Sequence, residues 1–128
     1  AQVSGILGNP VFAPLFAPSS RAEVPIVGRL AHASGTWLVS GQVDRLVVTG
    51  DTVLVADYKT NRPAPRDLDG ALTAHRSYVR QLALYRAVLG RIYPGHTIRA
   101  ALIWTDSAAL MDIPHAALDA EFAMLTPA

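Results

Sequence analysis

The chain has 128 residues, 51% of them hydrophobic, a net charge of +1 and no cysteine. That is enough apolar material for the core of one ordinary domain and too little for two. Disulfides, thiolate zinc sites and cysteine-held iron–sulfur clusters are excluded, so any metal must be bound through oxygen or imidazole. No apolar run reaches the length of a membrane span and no secretory signal is present, so the expectation is a soluble, intracellular protein with no membrane partner.

Residues 1–7 read as the tail of a helix that breaks at Gly8-Asn9-Pro10, and the chain therefore reads as a fragment of something longer. Residues 9–21 carry three prolines among apolar residues, which suits a short helical turn on a core followed by a loop at Pro18-Ser19-Ser20. From about residue 23 to residue 59 the pattern becomes β. The runs VPIVGRLA, WLVSGQVDRLVV and TVLVADYKT, separated by Ala33-Ser34-Gly35 and Gly50-Asp51, predict three antiparallel strands in a meander.

Residues 63–70 form a turn-rich loop in this reading. Residues 72–93 then predict one long helix, with Tyr78, Leu82, Tyr85, Leu89 and Ile92 on a single face, stopped by Pro94-Gly95. TIRAALIWT (97–105) predicts a fourth strand, which must run parallel to its predecessor because a helix connects the two. A last helix follows Pro114, with Leu118, Phe122 and Leu125 facing inward. The fold class is α+β, a mixed four-stranded sheet with a long helix on one face.

The Gly50-Asp51 pair is a two-residue hairpin signal with glycine where a type II′ turn needs positive φ. With those residues as the turn, Thr49 pairs with Thr52, Val48 with Val53, Leu46 with Val55, Asp44 with Asp57, and Gln42 with Lys59. One face is then apolar near the turn and abruptly polar beyond it. Two directly opposed carboxylates repel unless something compensates. A divalent cation would do so, and oxygen-only ligation selects Mg²⁺ or Mn²⁺. Lys59, two residues after Asp57 and the single lysine among eleven basic residues, leaves the strand on the same face. Metal and ammonium together suit phosphodiester hydrolysis, with both sharing the charge that develops on phosphate. An Asp-x-Lys on a strand is also a common surface charge pair, and that alternative stays open at this point. A bulge near Gly41 is the local feature most able to spoil the register.

GQVDRL (41–46), VADYKT (55–60) and QLALY (81–85) resemble, in order and spacing, the G-x-x-D, D-x-K and Q-x-x-x-Y motifs of RecB-type nucleases of the PD-(D/E)XK superfamily. With AEVPI (22–26), DYKTNRPAP (57–65) and YPG followed by IRAALIWT, nearly the whole chain is similar to the C-terminal nuclease of AddA-type helicase-nucleases. The resemblance implies a restriction-endonuclease-like core, here residues 1–128 as a single nuclease domain with its N-terminal helix truncated. It implies Asp44 and Asp57 as metal-binding acids, Lys59 as catalytic lysine, and Gln81 with Tyr85 as a helical motif near DNA. Glu23 stands where the family is frequently acidic and is a further candidate. Arg76 and Arg80, one helical turn apart, are expected on the rim of the site, contacting phosphate.

The same resemblance implies a bacterial, cytoplasmic parent that unwinds and degrades DNA ends, acting in double-strand-break repair and recombination with a second helicase-nuclease subunit. ATP would be used only by a motor domain outside this chain, which carries no G-x-x-x-x-G-K-[ST] loop. The family's metal-site histidine on an upstream helix has no counterpart, since no histidine precedes His32; His32, His75, His96 and His115 read as surface or capping residues. The isolated chain is therefore expected to hold Mg²⁺ weakly, to leave the site unfilled and to be inactive or barely active as a nuclease, with one apolar face of the sheet partly uncovered. Two other readings remain: a catalytically idle module that guides DNA or binds a partner, and a restriction-like endonuclease acting alone.

Overall fold

A computed structural model describes residues 10–125. The expected helix tail at residues 1–7 lies outside them. The first described element is a 3₁₀ helix, Pro10–Phe16. Its three-residue turn brings Phe12 and Leu15 onto one side, and both are fully buried.

Five strands follow in a single sheet: β1 (Arg21–His32), β2 (Gly35–Thr49), β3 (Thr52–Lys59), β4 (Thr97–Trp104) and β5 (Ala109–Ile113), in the spatial order β1-β2-β3-β4-β5. The meander of β1, β2 and β3 is antiparallel and β4 runs parallel to β3, as the helical connection requires. The β2–β3 turn falls at Gly50-Asp51, with positive φ at Gly50 and the expected register from Thr49↔Thr52 to Arg45↔Ala56. The α+β class holds, but the sheet has five strands rather than four. β5 pairs antiparallel with β4 after a turn in which Ala108 takes a positive φ.

The predicted single helix is two: α1 (Leu68–Ala74) and α2 (Arg76–Ile92). Asp67 caps α1 through a 2.8 Å bond from the Gly70 amide, so the helix begins inside the stretch expected to be loop. The chain leaves helical geometry at His75, whose ring stacks on Tyr78 with centroids 5.3 Å apart. α2 ends where Pro94-Gly95 was expected to stop it. A final helix, α3 (His115–Ala123), buries Leu118 completely, with Leu125 beyond its end also buried and Phe122 partly so.

Two apolar layers result. On one face of the sheet, Val79, Leu82, Tyr85, Val88 and Leu89 of α2 pack on Ile26, Val43, Leu46, Val55 and Leu102. On the other, Phe12 and Leu15 cover Val47, Leu54, Ala56, Ala101 and Ile103. The central part of that second face is thus covered, and exposed apolar side chains such as Val27 and Leu38 belong to β1 and the first half of β2. β4 is buried almost throughout because it has neighbours on both faces.

Candidate active site

β2 and β3 stop pairing at Arg45↔Ala56, and the site forms where they part. Val43 and Leu46 both enter the core under α2, although a regular strand would place residues three apart on opposite faces. Arg45 reaches the other side, its guanidinium donating to the Leu15 carbonyl at 3.1 and 3.2 Å. The irregularity is therefore at Asp44 rather than at Gly41.

In place of the backbone ladder, the two acids exchange bonds. The Asp44 amide donates to Asp57 Oδ1 at 2.9 Å, and the Tyr58 amide donates to Asp44 Oδ2 at 2.8 Å. Each carboxylate thus holds the strand that carries the other. Asp57 Oδ2 and Asp44 Oδ1 keep no hydrogen-bond partner among the described residues. The expected pairing of Gln42 with Lys59 does not form; Gln42 pairs with Pro25 on β1 and Lys59 with Trp104 on β4.

Asp57 is only 4% exposed, and burial pushes its carboxyl above the usual range; the Asp44 amide and the Lys59 charge pull it back down, while the Asp44 carboxylate adds to the rise. Lys59 shares Asp57's face of β3, and its ammonium lies 4.2 Å from the centre of the Tyr78 ring. The Tyr78 hydroxyl donates to Asn61 Oδ1 at 3.2 Å. Tyr78 was read from the sequence only as part of the apolar stripe, so its place against the lysine was missed.

Tyr85 crosses from α2 to the bend of β2. A Cβ on Gly41 would stand 2.1 Å from its hydroxyl oxygen, so the glycine of the G-x-x-D motif makes room for the tyrosine of the Q-x-x-x-Y motif. Burial raises the Tyr85 phenol above its ordinary value; hydrogen bonds to the Gln42 backbone and the Gln81 side chain oppose this, while Asp57 and then Asp44 raise it further. A protonated hydroxyl is thereby kept close to both carboxylates.

No hydrogen bond or ion pair joins the remaining candidates to the two carboxylates among the described residues. Glu23 falls opposite Asp44 in the β1–β2 register, between Ala22↔Arg45 and Val24↔Val43, with a strained positive φ of 54°, but its side chain is exposed. Arg76 and Arg80 turn to α3, where both engage the buried Glu121 at 3.0 and 3.6 Å. His32 spends both ring nitrogens locally: Nδ1 accepts from the Ser34 amide at 3.0 Å, and Nε2 donates to the Phe122 carbonyl at 2.8 Å.

Among the described residues no three acids or histidines cluster as a metal site. The Asp44–Asp57 pair nevertheless fits a hard ion in donor type, with one free oxygen on each carboxylate. Two carboxylates suffice for Mg²⁺ when water and substrate phosphate complete its shell.

The sequence profile of the PD-(D/E)XK nuclease superfamily matches residues 12–120. The chain belongs to that superfamily. A superfamily domain of this kind is a nuclease fold with hydrolase chemistry, and its members generally use Mg²⁺ or Mn²⁺. A solved chain titled "Crystal structure of SSO0001" is similar over 91% of this chain and 52% of its own, at 15% identity and a TM-score of 0.46. This PD-(D/E)XK chain thus spans about half the length of that protein. No curated protein matches it in sequence. No helix among the described residues is long and apolar enough to cross a membrane.

Proposed function

We propose that this PD-(D/E)XK domain is a metal-dependent DNA nuclease in which Asp44 and Asp57 hold the ion and Lys59 contacts the scissile phosphate. The observation carrying the reading is the reciprocal bonding of the two acids. It anchors each carboxylate to a backbone amide of the opposite strand while leaving an oxygen free on each. When bound, Mg²⁺ or Mn²⁺ supplies positive charge to phosphoryl oxygens and acidifies water.

The chain's own residues supply the rest. The Lys59 ammonium, held against Tyr78, places a second positive charge on the Asp57 face for a phosphate approaching the pair. Tyr85 remains a neutral donor beside the acids, and Gln81 steadies it from one helical turn away. The wider proposal, an exonuclease domain of an AddA-type helicase-nuclease that cuts single strands released by an ATP-driven motor and works with a second subunit, rests on the order and wording of the three motifs. Glu23 remains a proposed accessory acid on the strength of its register opposite Asp44.

A second reading, an idle module that keeps the fold to guide DNA, is favoured by one observation: only two acids meet at the site among the described residues. Incubating the chain with single-stranded DNA and Mg²⁺ or Mn²⁺ separates them. Cutting that is abolished by Asp57→Ala supports the nuclease reading, and DNA binding without cutting at any metal concentration supports the idle one.

A further inference from the structure

We propose that the cavity between the start of β2 and the first half of α2 binds a base of single-stranded DNA, placing the strand for cleavage at the neighbouring acids. The inference rests on the nuclease reading above and adds a subsite to it. The cavity has a volume of about 350 Å³, in the range of small-ligand pockets, and its lining includes Trp37, Ser77, Arg80, Gln81 and Tyr85. Gln81 and Tyr85 belong to the site as well, so the two spaces share a wall. Ser40, also on the lining, stands four residues before Asp44, about 13 Å of extended strand. A few nucleotides of backbone cover that distance.

The chemistry of the lining suits a nucleotide. Trp37 offers an aromatic surface held in place, because its indole N–H donates to Ser34 Oγ at 2.9 Å. Base stacking on a fixed ring is tolerant of sequence, as a degrading enzyme requires. Arg76 and Arg80 carry two positive charges against the single carboxylate of Glu121, so one charge is left uncompensated. The Arg80 side chain is 43% exposed, and its Nη2 stands 3.6 Å from Glu121, beyond hydrogen-bond length. A guanidinium with donors to spare on the wall of an aromatic cavity is complementary to a base edge or its phosphate. An acidic or purely apolar ligand satisfies only one half of that surface.

The test measures binding of a fluorescent oligothymidylate by anisotropy in EDTA, so that no strand is cut. The wild-type chain is compared with Ser77→Phe, which fills the cavity from an exposed helix position, and with Arg80→Gln; thermal melting confirms that each is folded. An abasic strand of the same length is the third arm and needs no variant. Each change is expected to weaken binding about tenfold, the scale of one stacked base. Equal affinity of wild-type protein for abasic and base-bearing strands overturns the subsite, as does unchanged binding by the folded Ser77→Phe variant or no wild-type binding at all. Cutting of single strands by wild-type protein in Mn²⁺ is scored separately. Cutting that survives Asp57→Ala refutes the nuclease reading, whereas Asp57-dependent cutting together with indifference to bases refutes only the subsite.

Discussion

Gly41→Ala is the most direct probe of how the two halves of the site are joined. Gly41 has no unusual φ, so alanine is permitted by the backbone and only space opposes it. The added methyl would meet Tyr85 Oη at 2.1 Å, Cζ at 2.8 Å and Cε1 at 3.0 Å, and relief requires a separation of roughly an ångström more than the fold allows. Neither partner yields easily: Gly41 is paired with Ile26 in the β1–β2 ladder, and Tyr85 is 4% exposed within the packed face of α2. Overpacking of this kind costs about 1–3 kcal/mol, and displacing the hydroxyl from the Gln42 backbone and Gln81 adds about 1 kcal/mol. A loss of about 2–3 kcal/mol is expected in urea unfolding followed by tryptophan fluorescence. Tyr85→Phe removes the 2.1 Å contact but leaves the ring carbons, so the glycine substitution should cost about 1 kcal/mol less in that background. Equal costs in both backgrounds would refute the steric coupling of the two motifs.

Three further outcomes follow from the geometry. Burial raises the Asp57 carboxyl above its ordinary 3.8, so the metal-free folded chain holds that proton more tightly than the unfolded chain and gains stability as pH falls through the raised value. Asp57→Asn should therefore raise the Tm at pH 7, with the gain shrinking towards pH 4; a difference that does not change with pH refutes the assignment. Tyr78→Leu should slow Mn²⁺-dependent cutting severalfold by releasing Lys59, while Tyr78→Phe retains the ring and most of the rate; equal damage by both would assign the effect to the Asn61 bond instead. Arg76→Ala with Arg80→Ala should weaken single-strand binding and flatten its salt dependence, and Glu121→Gln should steepen it by freeing both guanidiniums, with unchanged slopes in titrations from low to moderate salt counting against any phosphate contact.

The parts of the fold legible in the sequence were those set by local chemistry. Gly50 fixed the hairpin and its register, and the helical connection made β4 parallel to β3. What escaped depended on contacts distant in sequence. The apolar stripe through residues 72–93 runs on across His75, so nothing periodic marks the break; it becomes intelligible only with His75 against Tyr78 and Trp104. β5 is five residues long and includes Asp112, a poor strand former that Arg99 on β4 neutralises. Nothing in the sequence sets Glu121 apart from Asp119 two residues earlier, and only the approach of α3 to α2 reveals it as the partner of Arg76 and Arg80.

The acids show the same division between local and tertiary causes. Strict alternation puts Asp44 and Asp57 on one face, and from that alone their repulsion calls for a cation. The structure supplies a compensation the sequence did not suggest: each carboxylate accepts a backbone amide from the opposite strand, a charge-assisted bond made possible because the ladder has ended. The strands part because the carboxylates take the place of the carbonyls, and the carboxylates are rigid because they tie the parted strands. This arrangement lets two acids stand together without an ion, so on the metal-binding reading proposed above a cation would meet a pair already oriented and would displace no protein bond from the two free oxygens. Such preorganisation places the site's precision in the sheet rather than in loops, and it depends on the bend at Asp44. Restoring a regular ladder there would return the Tyr58 amide to a backbone carbonyl and leave the two carboxylates opposed on one face without these bonds.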